Sequence, residues 1–390
     1  MIFVDYPYIS HFLKETLRDH GLPVVETPAA SELGLLPGTR WISEEQAQAI
    51  MTETVNPAVY ATSENAFGWI SRQAAFGNLS RKIELFKNKA AFRRLVRPMF
   101  PDFRFREIPS EALESFPLEE LPFPCIIKPA VGFFSLGVYK INSPKEWPET
   151  IAKIRAEMER IREIYPAEVL NLDSFLVEEC IEGEEFAVDA YYTPEGDPVI
   201  LGIWEHRFST DADVNDRVYS TSRALVETHL DEFTDFVGEI GRLADVKNFP
   251  IHVELRKTPE GLLVPIEVNP LRFGGWCTTA DGTYKAYGLN PYVAYYEQQR
   301  PDWGQLLKKL DGKVVSIIVL DNSTGLDGGQ IAAFDYDQLL SGFENPLELR
   351  KVDYRQYPLF GFVFTESEEA HVSELDAILH STLREFVKQG

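Results

Sequence analysis

Two carboxylates and an amide stand at alternate positions of two neighbouring apolar segments. Residues 251–256 place Glu254 on one face, and residues 264–269 place Glu267 and Asn269 on one face. A period of two is that of a β-strand, and a turn at residues 258–261 predicts a hairpin that brings these side chains together. Their oxygens suit Mg²⁺. An ordinary half-exposed hairpin with outward polar residues is the alternative interpretation.

A lysine at the end of an apolar segment, followed by glycines, forms a second pattern. Lys128 ends the predicted strand, and Gly132, Ser135 and Gly137 follow it. Glycines let backbone N–H groups approach a phosphate closely, while the serine hydroxyl and the lysine charge would add two further contacts. A β-hairpin that contains glycines has the same pattern, so both interpretations stay open.

A third segment, residues 177–189, is an apolar strand that ends in acidic residues. Such a strand can offer backbone groups to the edge of an adenine and a carboxylate to a ribose hydroxyl. A charged turn between strands explains Glu182 and Glu184 equally well.

The composition excludes several classes of protein. The 390 residues include 38 basic and 61 acidic side chains, for a formal charge of -23, which disfavours nucleic acid and anionic lipid as main partners. Three cysteines without metal-like spacing, and no apolar stretch of about 20 residues, favour a cytoplasmic protein without a membrane span. The motifs of P-loop NTPases, zinc proteases and serine hydrolases do not occur.

The surrounding pattern predicts elements that would position these residues. Short apolar runs alternate with helical patterns in the first 62 residues, which indicates a small parallel sheet. A basic helical segment follows at residues 80–97, and its charges are interpreted mainly as a solvated face. Residues 204–223 are expected to form a loop, and residues 374–388 a helix.

Four sequence blocks occur in a fixed order. They are Asn88-Lys89; Ile127-Lys128-Pro129 with Gly132, Ser135 and Gly137; Val177-Glu178-Glu179 with Gly183 and Glu185; and His252-Val253-Glu254 followed by Ile266-Glu267-Val268-Asn269-Pro270. Over roughly residues 85–300 the chain resembles the ATP-grasp superfamily of carboxylate–amine and carboxylate–thiol ligases, which also includes the carbamoyl-phosphate synthase large subunit.

The resemblance implies a mixed α/β and α+β fold in three parts. It implies a parallel pre-ATP-grasp α/β domain in residues 1–84 and an ATP-grasp domain in residues 85–305. The second part would include a small lid at about residues 120–192. A C-terminal α+β segment would occupy residues 306–390.

The resemblance also implies roles for individual residues. Lys89 and Lys128 would hold phosphates of ATP, residues 132–137 would form a flap over them, and Arg272 would face the acyl phosphate. Magnesium or manganese would be bound by Glu254, Glu267 and Asn269. The remaining nucleotide contacts would come from Gly132, Ser135, Gly137, Glu178, Glu179, Cys180, Ile181 and Glu185. Two departures from the family pattern are Phe133-Phe134 in the flap and the extra Leu271 before Arg272.

The function implied is an ATP-dependent ligase that activates a substrate carboxylate as an acyl phosphate for attack by an amine. The partners would be small carboxylates and amines, and the chain would be able to form a homodimer. A bicarbonate-using carboxylase or carbamoyl-phosphate-type enzyme, and a non-catalytic nucleotide-binding sensor, are the alternatives.

Overall fold

The computed structural model describes residues 1–73, 78–132, 137–161, 171–209 and 216–389. These residues divide into two compact units. The first unit comprises residues 1–183, 190–199 and 235–277, and the second comprises residues 184–189, 200–234 and 278–390. Residues of both units occur in the strands Glu184–Tyr192 and Pro198–Arg207 and in the helix Arg223–Ala244.

The first unit begins with a parallel four-stranded sheet, as the alternation of apolar runs predicts. Its order is Trp41–Ile42, Val24–Val25, Ile2–Phe3 and Tyr60–Ala61. The helices of this region are His11–Asp19, Pro28–Glu32, Glu44–Glu53, Phe67–Gln73, Asn78–Lys87 and Lys89–Leu95.

The predicted basic segment is two helices rather than one. Asn88 separates them, because its backbone is extended and its side chain accepts a hydrogen bond from the N–H of Ala91. This is N-capping, which starts a new helix at Lys89. The break therefore sets the direction of the second helix and of the side chains that it carries.

An antiparallel sheet follows in the first unit. Its order is Phe105–Pro109, Asn171–Glu179, Cys125–Val131 and Tyr139–Ile141. The helix Trp147–Ile161 covers one face of this sheet with Ile151, Ile154 and Met158, which pack among buried strand side chains. Because strand side chains alternate, Lys128 and Glu178 lie on the other face.

The first unit also contains the predicted hairpin, which we call the carboxylate hairpin, with strands Phe249–Lys257 and Leu263–Pro270. Short 3-10 turns complete the unit. They are Glu64–Ala66, Ser110–Ser115, Leu118–Glu120, Pro144–Glu146 and Gly275–Cys277.

The second unit contains an antiparallel sheet. Its order is Pro198–Arg207, Val218–Ser222, Lys313–Asp321, Leu359–Glu368 and Asn345–Lys351. A two-stranded sheet pairs Ile331–Phe334 with Val387–Gln389. The α-helices are Thr278–Tyr287, Pro291–Tyr296, Trp303–Leu306, Tyr336–Leu340 and Ser373–His380. The 3-10 turns are Leu307–Leu310, Gly328–Gln330, Glu369–His371 and Arg384–Phe386.

Two sequence predictions for this unit are wrong. The helix predicted to reach residue 388 ends at His380, because the chain turns at Leu383 in the left-handed region and then joins the two-stranded sheet. Much of the loop predicted at residues 204–223 is strand, and Arg217 there is buried and donates to Asp321. The mixed parallel and antiparallel sheets agree with the predicted fold class.

Candidate functional site

The carboxylate hairpin brings together the residues that the sequence pattern assigns to one face. Glu254 pairs with Glu267 across the two strands, and His252 pairs with Asn269. The side-chain amide of Asn269 donates to Oε1 of Glu267 at 3.1 Å. Two carboxylates and an amide therefore lie side by side, as the period of two predicts.

Lys89 ties the second helix of the basic segment to this hairpin. Its Nζ lies 2.8 Å from Oε2 of Glu267 and donates to the carbonyl oxygen of Gly132 at 3.0 Å. Burial lowers the lysine pKa, but attraction to Glu267, and more weakly to Glu64 and Glu254, raises it overall. Lys89 is thus held as a cation beside the hairpin and the first residue of the predicted flap.

Glu267 is itself held in its ionised form. Burial would raise the pKa of this carboxyl, yet the adjacent Lys89 ammonium lowers it below the usual range, with a further contribution from Lys128.

Lys128 and Glu178 form an ion pair on the open face of the antiparallel sheet. Nζ of Lys128 lies 2.6 Å from Oε1 of Glu178, and both side chains are buried. Burial lowers the lysine pKa, and Glu178 opposes that effect while the nearby charges of Arg93 and Lys89 add to it. Glu178, predicted as part of a base-binding segment, is therefore also the ion-pair partner of a lysine that is predicted to bind phosphate.

Arg93 completes this cluster and was not predicted as a site residue. Its Nε donates to Oε2 of Glu178 at 2.6 Å, and its Nη1 donates to the carbonyl oxygen of Pro265 in the carboxylate hairpin at 2.5 Å. Its guanidinium carbon lies 4.5 Å from the ring centre of Phe103. Since Lys89 and Arg93 are four residues apart on one helix, helical spacing places them on the same face and would have identified Arg93.

A second cluster centres on Glu64, which was also missed. Nζ of Lys87 lies 2.5 Å from Oε2 of Glu64, and Nη2 of Arg272 lies 2.9 Å from Oε1. Burial raises the carboxyl pKa, but the two cations outweigh it and hold the pKa at about 2. Glu64 starts a short turn, and no motif in the sequence distinguishes it from other capping-region glutamates.

The extra residue before Arg272 is accommodated by backbone conformation. Leu271 has φ 58°, its side chain is buried, its N–H donates to Pro250, and its carbonyl oxygen accepts from the N–H of Ala61. A leucine in the left-handed region is uncommon, and its hydrogen bonds hold it there. The insertion directs Arg272 to Glu64, and the predicted contact of this arginine with an acyl phosphate stays a prediction.

The predicted base-binding segment runs from Glu178 through Ile181, and we call residues 179–183 the linker. The N–H of Cys180 donates to Pro124, and Nη1 of Arg256 donates to the carbonyl oxygen of Ile181 at 2.5 Å. Gly183 has φ 134°, and a Cβ there would lie 2.1 Å from the carbonyl oxygen of Lys257. Only glycine allows this close approach, so the linker lies directly against the carboxylate hairpin.

A cavity of about 530 Å³ runs along the linker. Glu179, Cys180 and Ile181 contribute to its lining, and apolar side chains including Phe103 and Val264 face them. Ligand cavities are commonly of this size and largely apolar. Burial raises the pKa of the Cys180 thiol, which keeps it neutral near pH 7.

The other predicted residues are placed as follows. Gly137 has φ 70° and lies against the ring of Pro129. Ser135 and the Phe133-Phe134 pair lie outside the described residues. Glu185 belongs to the second unit, where its Oε1 lies 2.8 Å from Nδ1 of His206.

Two statements about absence apply only to the part of the chain that the structure describes. There, no three His, Cys, Asp or Glu side chains are grouped closely enough to hold a metal ion by themselves. Within the same residues, no helix combines the length and the apolar character that crossing a bilayer requires.

Comparison with known proteins gives a family match and several similar folds. Residues 121–280 match the family model described as the ATP-grasp domain. No curated protein sequence matches the chain.

Among solved structures, L-amino acid ligase from Bacillus licheniformis aligns with a TM-score of 0.70 and 19% identity, over 100% of this chain and 98% of that one. Biotin carboxylase from Campylobacter jejuni aligns with a TM-score of 0.62 and 11% identity, over 100% and 92%. N5-carboxyaminoimidazole ribonucleotide synthetase from Thermotoga maritima aligns with a TM-score of 0.60 and 14% identity, over 100% and 98%. The fold is therefore the ATP-grasp fold, and this prediction is confirmed.

Proposed function

We propose that the protein is an ATP-dependent carboxylate–amine ligase, because residues 121–280 match the ATP-grasp domain model and the chain has the ATP-grasp fold. A substrate carboxylate would be activated as an acyl phosphate and then attacked by an amine, with release of ADP and phosphate. Small carboxylates and amines are the substrates on this proposal. The likeness to an L-amino acid ligase over the full chain makes amino acids the first compounds to test.

One observation carries the proposal. Within the first unit, Lys89 and Lys128 are each buried and each held at ion-pair distance by a carboxylate, Glu267 and Glu178 respectively. In a chain with a net charge of -23, these ammonium groups supply the local positive charge that a nucleotide phosphate requires. Phosphate oxygens would compete with the two carboxylates for the lysines.

The hairpin residues fit a divalent cation. Glu254 and Glu267 are neighbours, Glu267 is ionised, and Asn269 donates through its amide nitrogen, which leaves its carbonyl oxygen as a ligand. One or two carboxylates completed by phosphate oxygens and water are typical of Mg²⁺ sites beside nucleotides. When bound, Mg²⁺ or Mn²⁺ would neutralise phosphate charge.

The linker cavity supports a place for the adenine base. Its apolar side chains suit a flat ring, and residues 179–181 of the linker contribute to its lining. Contacts of the nucleotide with Gly132, Ser135, Gly137 and Glu185 remain predictions from the sequence resemblance.

The chemistry follows as two displacements. A carboxylate oxygen bonds to the γ-phosphorus as the bond to the β-phosphate oxygen breaks, and ADP leaves. The amine nitrogen then bonds to the acyl carbon, phosphate leaves with the former carboxylate oxygen, and the nitrogen loses a proton. The protein contributes position and charge: Lys89 and Lys128 at the phosphates, and Arg272 at the developing oxyanion.

The proposal is tested by measuring ADP release against a panel of L-amino acids, singly and in pairs, and against bicarbonate. Release that requires an amino acid, with a condensed product identified by mass spectrometry, supports it. Release with bicarbonate alone supports a carboxylase, and nucleotide binding without turnover supports a sensor.

The variant Glu267→Ala tests the hairpin separately. It is expected to abolish ADP release and to weaken Mn²⁺ binding, followed by electron paramagnetic resonance, while leaving the circular dichroism spectrum unchanged. The exposed Glu149→Gln serves as a control that leaves both intact. Retained turnover in Glu267→Ala would remove the metal assignment.

A further inference from the structure

Three charged side chains in the first unit share a single buried centre. Oε1 of Glu178 contacts the ammonium of Lys128 at 2.6 Å, and Oε2 contacts Nε of Arg93 at 2.6 Å. The exposed fractions of the three side chains are 3%, 6% and 2% respectively. The cluster therefore holds two positive charges and one negative charge, excluded from water.

This charge count matters for the lysine. A carboxylate beside a buried lysine offsets part of the attraction that the ammonium exerts on an anion. Here the arginine occupies the second oxygen of that carboxylate, so the cluster retains one net positive charge. Charges act strongly in such a buried setting because water does not screen them.

We propose that Arg93 is a positioning residue. It binds the second carboxylate oxygen of Glu178, so that Glu178 does not fully neutralise Lys128 and the lysine can attract a nucleotide phosphate. This inference rests on the proposed function and extends it to a residue of the cluster that does not itself bind the phosphate. The hydrogen bond from Nη1 to Pro265 fixes the guanidinium against the carboxylate hairpin, and the ring of Phe103 packs against it.

The arginine also has an unused donor. Nη2 of Arg93 is buried and has no hydrogen-bond partner among the described residues. An unpaired buried donor costs stability. The arrangement is therefore not explained by fold stability alone, which agrees with an electrostatic role at the site.

The first experiment measures the Kd of MgATP and of a non-hydrolysable ATP analogue by calorimetry. Arg93→Met is expected to raise both Kd values about 10-fold, the scale of one unit charge acting through a protein interior. Arg93→Lys restores the charge and is expected to stay within about 3-fold of the wild type. The control is Arg94→Met, since Arg94 is adjacent, exposed and paired with Glu107 instead.

A double variant separates charge from structure. Arg93→Met with Glu178→Gln returns the cluster to one net positive charge on Lys128, so its Kd should recover most of the loss seen in Arg93→Met. If Arg93 had a purely structural role, the double variant would bind nucleotide no better than Arg93→Met, because it loses more contacts. Arg93→Lys would also bind weakly, because lysine cannot make the two-pronged contacts of a guanidinium. Melting temperatures identify any variant that fails to fold, in which case Arg93→Lys decides the question.

The outcomes distinguish this inference from the proposed function. Wild-type protein that binds no nucleotide overturns both. Wild-type binding with an unchanged Kd in Arg93→Met, or a double variant no better than the single one, overturns the role of Arg93 and leaves the ligase proposal standing.

Discussion

Two buried carboxylates in the first unit each bind one lysine and one arginine. Glu178 is shared by Lys128 and Arg93, and Glu64 is shared by Lys87 and Arg272. In each cluster, attraction to the two cations overcomes burial and holds the carboxyl pKa at about 2.

The clusters differ in depth and in which cation is nearer the surface. The Glu178 cluster is almost fully enclosed, whereas Arg272 in the Glu64 cluster is 13% exposed. In the first cluster the predicted ligand-binding cation is the lysine, and in the second it is the arginine. The two clusters thus have the same charges, but the more exposed cation is an ammonium in the first and a forked guanidinium in the second.

The largest expected effect on turnover comes from removing the buried ammonium of Lys128. Lys128→Met should lower kcat/KM for ATP by about 100-fold or more, the scale seen when one preorganised transition-state contact is lost. Steady-state ADP release measures it. Arg272→Met should mainly lower kcat for the second substrate, and equal effects of the two variants on ATP would contradict the division of roles.

The two carboxylates should both contribute to acid stability. A folded pKa of about 2, below the ordinary 4.5, gives stabilisation that is complete above about pH 4.5 and is lost as pH falls toward 2. Each group contributes about 3 kcal/mol at neutral pH.

Chemical denaturation from pH 6 to pH 2.5 should therefore show a flatter pH dependence in Glu178→Gln and in Glu64→Gln than in the wild type. Exposed Glu149→Gln is the matched control. An unchanged slope in either buried variant would show that its pair does not stabilise the folded state.

Lys87 should matter less than Arg93, because the cation it supports is more exposed to water. Lys87→Met leaves Glu64 to neutralise Arg272 alone, so kcat should fall several-fold with little change in the Kd of ATP. Stopped-flow measurement of product formation tests this. A larger change in ATP affinity than in kcat would place Lys87 with the phosphate cluster instead.

The smallest effect is expected from the exposed pair Arg94 and Glu107 on the solvent side of the same helix. Arg94→Met should change the free energy of unfolding by less than about 0.5 kcal/mol and should not change turnover. Thermal melts check this. A loss as large as that of Arg93→Met would contradict the distinction between the two arginines.

Sequence reasoning predicted the features that depend on local periodicity. The pairing of Glu254 with Glu267 follows from strand alternation, and the parallel sheet at the start of the chain follows from alternating apolar runs and helices. Lys89 and Lys128 were predicted as site residues, and the structure pairs Lys89 with Glu267 and Lys128 with Glu178.

The features that were missed depend on long-range contacts. Arg93 stands in a run of basic residues that is typical of a solvated helix face. Its four-residue spacing from Lys89 was the one local signal, and its burial depends on a contact with Glu178, 85 positions away. Glu64 and Arg272 are 208 positions apart. Burial of a charge is decided by what packs over it, which one-dimensional charge patterns do not contain.

The contact at Gly183 has a consequence for mutational tolerance. The linker and the hairpin touch through main-chain atoms, with no side chain at this position to act as a spacer. A methyl group there would have to displace the neighbouring strand, whereas the adjacent Glu182, which is exposed, can vary in size. In a saturation library, substitutions should therefore be tolerated at Glu182 and rejected at Gly183, because only the second position ties the main chain of the linker to that of the hairpin.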